Sequence, residues 1–169
     1  MIKYYGSINK EKQKEVLERE TGISAEGYPK IITIPDNWAK TIGHGRMVIL
    51  TPRIIDEFVM TIPKGKLTTI NLIRQKFAID YNVETTCPLT TGIFVWISAG
   101  AAEEDKAAGK KQITPYWRVL KEGGKLNPKF PGGIEQQARY LTKEGFQILP
   151  GKTPANWKVN NYKDYLIKS

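Results

Sequence analysis

One cysteine and one histidine in 169 residues close off several chemistries at once. Cys87 has no partner for an internal disulfide, which fits a reducing compartment. His44 alone cannot supply the paired imidazoles of a histidine-rich metal site, so neither a metal nor a cofactor is expected. No stretch approaches the ~20 uncharged apolar residues of a membrane span. The first residues, Met1-Ile2-Lys3-Tyr4-Tyr5-Gly6, hold no apolar signal core, so the expected location is the cytoplasm. Internal repeats and low-complexity tracts are missing too. No feature calls for an obligate dimer, and a monomer is expected.

What remains is a chain of 40% apolar and 25% charged residues, enough for one core without staples. Its net charge of +9 is uneven. Residues 1–60 carry 9 Lys/Arg against 8 Asp/Glu, a balance of +1, while residues 61–169 carry 17 against 9, a balance of +8. A basic domain attracts polyanions through phosphate contacts and counterion release. A generally solvated basic surface gives the same numbers, and charge alone does not separate duplex DNA from structured RNA.

The spacing of apolar and turn residues organises the chain. Asn9 to Glu20 is highly charged, either a solvated helix or a mobile arm. Ile31-Ile32-Thr33-Ile34 predicts a short strand closed by Pro35-Asp36. Thr51-Pro52 opens a helix, with Thr51 as cap and Ile54, Ile55, Phe58 and Val59 on its apolar face. Pro63 and Gly65 end it. Thr69 caps a second helix carrying Ile70, Ile73 and Phe77. Cys87-Pro88 opens a third, with Leu89, Ile93, Trp96 and Ile97 facing inward. Helices two and three describe a helix-turn-helix with a long join, Ile79 to Thr86. A fourth helix starts after Gly132-Gly133 and stops at Gly145. Phe146-Gln147-Ile148 and Trp157-Lys158-Val159 can pair as a hairpin or wing, and Asp164-Tyr165-Leu166 suits a last helical turn.

Three motifs recur in order along this frame: Ile62-Pro63-Lys64-Gly65-Lys66-Leu67-Thr68-Thr69, then Pro115-Tyr116-Trp117-Arg118-Val119, then Leu126-Asn127-Pro128-Lys129-Phe130-Pro131-Gly132-Gly133. The set resembles the C-terminal domain of the alkylguanine-DNA alkyltransferases (methylated-DNA–protein cysteine methyltransferases) over about residues 50–150. That family carries Pro-Cys-His-Arg-Val where this chain has Pro115 to Val119. Its cysteine takes the alkyl group and its histidine helps to deprotonate it. Tyr116 and Trp117 stand at those two positions. The chain is most similar to the alkyltransferase-like proteins, a subfamily that also lacks the cysteine, often with Trp in its place. The resemblance implies an α/β, mostly helical fold: a winged helix-turn-helix-like DNA-binding domain over residues 51–150. Residues 1–50 would be an N-terminal extension packed on the core, and residues 151–169 a C-terminal extension.

The resemblance also implies a site. A damaged guanine turned out of the duplex would enter a pocket formed by Tyr116, Trp117, Ile70, Phe130 and Pro131. Core or loop packing is the other reading of the two aromatics. A tyrosine hydroxyl with pKa near ~10 is scarcely ionised at neutral pH, so Tyr116 cannot replace a thiolate in alkyl transfer. The family's third helix enters the minor groove with an arginine near its start. The matching stretch here, Pro88 to Thr90, has none. Leu89 could serve as an apolar wedge, with Thr90, Thr91 and Gly92 allowing close approach to the backbone. Lys66, Thr68, Thr69, Arg118, Lys110, Lys111 and Lys129 are candidate phosphate contacts. Glu144 matches the glutamate that orients the family's histidine and is left here as a structural acceptor. The run Glu103-Glu104-Asp105 caps or solvates a helix end.

The function expected is therefore non-catalytic: binding of duplex DNA, alkylated guanine in particular, with hand-off to a repair-pathway protein. Two alternatives belong to other classes. One is a protein-interaction or regulatory module that kept the fold and lost DNA. The other is an active methyltransferase that uses Cys87, against which stands its distance from the family's cysteine position.

Overall fold

A computed structural model describes residues 27–168. The charged segment Asn9 to Glu20 lies outside the described residues. In chain order the elements are β1 (Lys30–Thr33), α1 (Asp36–Ile42), β2 (Arg46–Ile49), α2 (Pro52–Met60), β3 (Thr68–Thr69), α3 (Ile70–Asp80), β4 (Thr85–Thr86), α4 (Pro88–Ala107), β5 (Val119–Leu120), α5 (Gly133–Lys143), β6 (Ile148–Leu149) and β7 (Lys158–Val159). Short 3-10 turns at Tyr116–Arg118, Glu122–Gly124, Pro154–Asn156 and Tyr162–Tyr165 complete the frame. The fold is mixed α/β, with its strands in three small sheets.

Local signals set the helices. The Thr51 hydroxyl accepts from the Ile54 amide and Pro52 takes the first turn of α2. The Thr69 hydroxyl does the same for the Leu72 amide at the start of α3. Ile55 and Val59 of α2 are buried against α4, where Ala99, Ala101 and Ala102 keep the side chains short enough for close helix approach. At the far end of α5, Gly145 turns the chain at φ 96°, a left-handed conformation that disfavours a side chain.

Pairing between the strands carries the elements into place. β2 runs antiparallel to β1 and parallel to β4, which fixes the join between α3 and α4. β3 lies parallel to β5 with Thr68 opposite Val119 and Thr69 opposite Leu120, so two of the sequence motifs meet. The hairpin β6–β7 forms in the register Ile148 to Val159. After it the chain returns along β3, where Leu67 and Ile167 exchange backbone hydrogen bonds with Tyr165 and Leu67. Val48 and Leu50 share one core with α2, α3 and α4, so that core crosses the expected boundary between residues 50 and 51.

Two expectations for α4 change. The helix is nearly apolar all round, so sequence periodicity could not set its phase. Phe94, Val95, Ile97 and Ser98 face the core, whereas Leu89 points outward at 50% exposure and Ile93 and Trp96 are half-buried. Glu103-Glu104-Asp105 belongs to the last turns of α4, and Glu103 is held inward rather than solvated at a helix end. No helix among the described residues is long and apolar enough to cross a membrane.

Asp56 on α2 faces α4, where its carboxylate accepts a hydrogen bond from the Ser98 hydroxyl. Burial pushes its pKa up, and hydrogen bonds from Ser98 and Thr114 only partly oppose this. Because the folded pKa is raised, the associated stability is present below the unfolded carboxylate range. It is lost as pH rises through the folded value. Asp56→Asn is expected to flatten this decline, measured as melting temperature against pH. Parallel pH profiles for the two proteins would refute the assignment.

Candidate nucleic-acid interface

The motif Pro115 to Val119 folds as a tight turn whose aromatic side chains turn inward. Tyr116 is fully buried. Its ring meets Trp117, Phe130 and Tyr140 edge-on at centroid distances of 5.5, 5.2 and 6.0 Å. Its hydroxyl donates to Glu103 Oε1 at 2.8 Å, and the Tyr140 hydroxyl donates to the same oxygen at 2.7 Å. Trp117 stacks on Tyr140 at 4.3 Å and 19°. The indole N–H of Trp117 donates to Glu144 Oε1 at 2.8 Å.

Glu144 gathers this region. Its carboxylate takes Arg118 in a fork, with Nε at 3.0 Å from Oε2 and the terminal nitrogen at 2.7 Å from Oε1. The side chains are 13% and 8% exposed, so the pair is nearly dry. A second arm of Arg118 reaches the Ile62 carbonyl, tying in the segment that follows α2. Gln137 on α5 does comparable work for the next loop. Its amide nitrogen donates to the Trp117 and Val119 carbonyls, and its oxygen accepts from the Asn127 amide at 2.7 Å.

Beside this buried block lies an open groove of about 670 Å³. One wall is the first two turns of α4, from Pro88 through Gly92 to Trp96. The other is the loop carrying Asn127, Pro128 and Lys129, with Ile70 and Lys121 between them. The floor is apolar and two lysines stand on the loop side, a combination suited to a flat aromatic group attached to phosphates.

Against the expectations from sequence, the structure divides the candidates. Ile70, Leu89, Gly92 and Lys129 line the groove together. Tyr116 and Phe130 are corrected to core positions, because their rings pack on one another behind it. Trp117 is half-buried and does not line the groove, its ring stacked on Tyr140 and its N–H donated to Glu144. Pro131 borders a different recess, with Glu103 and Gln136. Thr68, Thr69, Thr90 and Thr91 are buried and present no hydroxyl to a phosphate. Among the described residues the hydroxyl of Thr90 has no hydrogen-bond partner. Arg118 is committed to Glu144. Lys66 is exposed on the turn before β3. Lys110 pairs with Asp105 at 2.7 Å, and with Lys111 follows the far end of α4, roughly 30 Å from Leu89 at the helical rise.

Sequence reasoning missed Trp96, Ile93, Lys121, Asn127 and Pro128 as groove residues. Asn127 and Pro128 stood inside a quoted motif, so the signal was there. Trp96 was hidden by the uniform apolarity of α4. Cys87 is 1% exposed in a small cluster with Ile34, Ala39, Met47 and Ile49, and does not line the groove. Among the described residues no group of three or more His, Cys, Asp or Glu could hold a metal ion.

No family model matches the chain, and no curated protein matches it. Among solved structures it is similar to S. pombe Atl1 in complex with damaged DNA containing O6-carboxymethylguanine, with 19% identity and a TM-score of 0.48. The match covers 70% of this chain and 94% of that one.

Removing one member of a buried ion pair strands the other charge. Glu144→Ala is therefore expected to lower stability by about 3–5 kcal/mol, read by urea denaturation. Gln137→Leu leaves two carbonyls and an amide unpaired and is expected to cost at least ~1–3 kcal/mol. A loss below half a kcal/mol in either variant would contradict the role given to that residue.

Proposed function

We propose that this chain is a non-catalytic DNA-binding protein of the alkyltransferase-like type, which senses alkylated guanine in duplex DNA for repair. The observation that carries this reading is the groove itself. It places an exposed Leu89 at the first turn of α4, beside an apolar recess with Trp96 in its wall and Lys121 and Lys129 on the loop side. A leucine in that position can part a base step, as apolar wedges of minor-groove proteins do. The recess then offers a half-buried indole and aliphatic walls to an extruded base, and the lysines meet the backbone on either side. Helices α3 and α4 serve in this reading as the helix-turn-helix and the β6–β7 hairpin as its wing. Hand-off to a repair-pathway protein would follow binding, since recognition alone repairs nothing.

No transfer chemistry is assigned. The position that would carry the nucleophile holds a phenol whose hydroxyl is already donated to Glu103. The thiol of Cys87 is buried in another cluster. Incubation with a duplex containing O6-alkylguanine is expected to leave the protein mass unchanged. A stoichiometric mass gain that Cys87→Ser abolishes would instead establish a transferase.

Fluorescence anisotropy with matched duplexes, with and without one O6-alkylguanine, tests the binding itself. Preference for the lesion is expected, and Trp96→Ala should weaken lesion binding roughly 5- to 150-fold, the range of ~1–3 kcal/mol per stacked base. Leu89→Ala, at an exposed site, should reduce the preference without loss of folding. Equal affinity for both duplexes would remove the sensing role, and no binding at low salt would leave a protein-interaction module.

A further inference from the structure

Next to the groove, on the other side of the start of α4, a second recess of about 530 Å³ is lined by Asn71, Arg74, Gln75, Glu84 and Thr85. Among the described residues, the hydrogen-bond partners of Arg74 are neutral. Its Nε donates to the Thr86 carbonyl at 3.1 Å, one terminal nitrogen to Asn71 Oδ1 at 3.3 Å, and the other to Thr85 Oγ1 at 3.0 Å. A guanidinium has five N–H donors, so one remains on each terminal nitrogen, the pair that grips an anion in a fork. Two carboxylates stand at the recess, Glu84 in its lining and Glu122 against Asn71, and each accepts a hydrogen bond from a group other than Arg74. Glu84 Oε2 accepts from the Arg46 amide, and Glu122 Oε2 accepts from Asn71 Nδ2 at 2.8 Å. Among the described residues no acid forms an ion pair with Arg74. Burial pulls its pKa down from the usual arginine value.

We propose that Arg74 is a phosphate-binding residue, and that its unused fork takes one backbone phosphodiester of the duplex just outside the base groove. This rests on the DNA-binding reading above and extends the contacted surface across the join of α3 and α4. The position fits that role. Thr86, whose carbonyl holds Nε and whose hydroxyl donates to the Arg74 carbonyl at 2.8 Å, lies two residues before Pro88 of the groove wall. The guanidinium is thus fixed relative to Leu89 before any ligand arrives. Asn71, Gln75 and Thr85 add neutral polar groups suited to a sugar–phosphate chain. A base-reading role is not implied, because a phosphate contact positions without reading sequence.

The test is the salt dependence of binding to an undamaged duplex, for the full chain, with the melting temperature of each variant recorded. Arg74→Gln is expected to reduce the slope of log affinity against log salt by about one unit. Arg74→Lys should retain the slope and lose affinity several-fold, since it keeps the charge and loses the fork. Arg53→Gln, on the exposed start of α2, should change neither. A second measurement needs no variant: replacing single phosphates by neutral methylphosphonates should reveal one linkage whose neutralisation reproduces the slope loss. That loss should not add to the loss in Arg74→Gln. An unchanged slope in Arg74→Gln, or no such linkage with the unsubstituted chain, overturns this inference while leaving DNA binding intact. No binding by the unsubstituted chain overturns both.

Discussion

The ion pair between Arg118 and Glu144 holds three separate segments at one point. Arg118 belongs to the turn after Pro115, Glu144 to the end of α5, and the Ile62 carbonyl to the segment after α2. A charge pair at such low exposure survives only when its remaining lone pairs and protons are also satisfied. Here Trp117 and the Gly65 amide supply the extra donors. The loop from Val119 to Gly133 is anchored at both ends as a result, by β3–β5 pairing and by Gln137. That anchoring keeps Asn127, Pro128 and Lys129 opposite the first turns of α4.

The groove is the space left between the start of α4 and this anchored loop. Its walls differ in character. The α4 wall is backbone-close and apolar, with the Cβ position of Gly92 open to solvent. The loop wall brings the charge. An extruded ring would meet aliphatic and indole surface on one side and cations along its attached backbone on the other. Arg74, on the far side of the same helix start, extends that asymmetry along the surface.

Much of the frame was legible in the sequence because it rests on local rules. Thr51 and Thr69 cap as their positions imply, Gly145 ends α5, and Ile148 pairs with Val159. The side-chain directions of α4 were not legible, since a helix apolar on every face gives periodicity nothing to lock onto. The inward role of Glu103 was hidden for a different reason. Its partners Tyr116 and Tyr140 lie 13 and 37 residues away, and an acidic run at a helix end looks the same whether solvated or bonded. Glu144 was legible as an acceptor, but not its fork with Arg118, which the sequence offers as a phosphate contact. Nothing in the sequence marks Arg74, because a lone arginine on a helix is ordinary and its partners Thr85 and Thr86 lie beyond the turn after α3.

Tyr116 has a bearing on how such a chain can change over generations. Its phenol spans the distance from the turn to Glu103 and fills the space between Phe130, Trp117 and Tyr140. A cysteine side chain at the same place would fall short of Glu103 and leave a void among the three rings. Large-to-small changes at packed aromatic sites cost on the order of 3–5 kcal/mol, a large share of the total stability of a domain. A thiol at position 116 would therefore cost the chain stability, because this one ring ties the turn after Pro115 to α4 through Glu103 and to α5 through Tyr140.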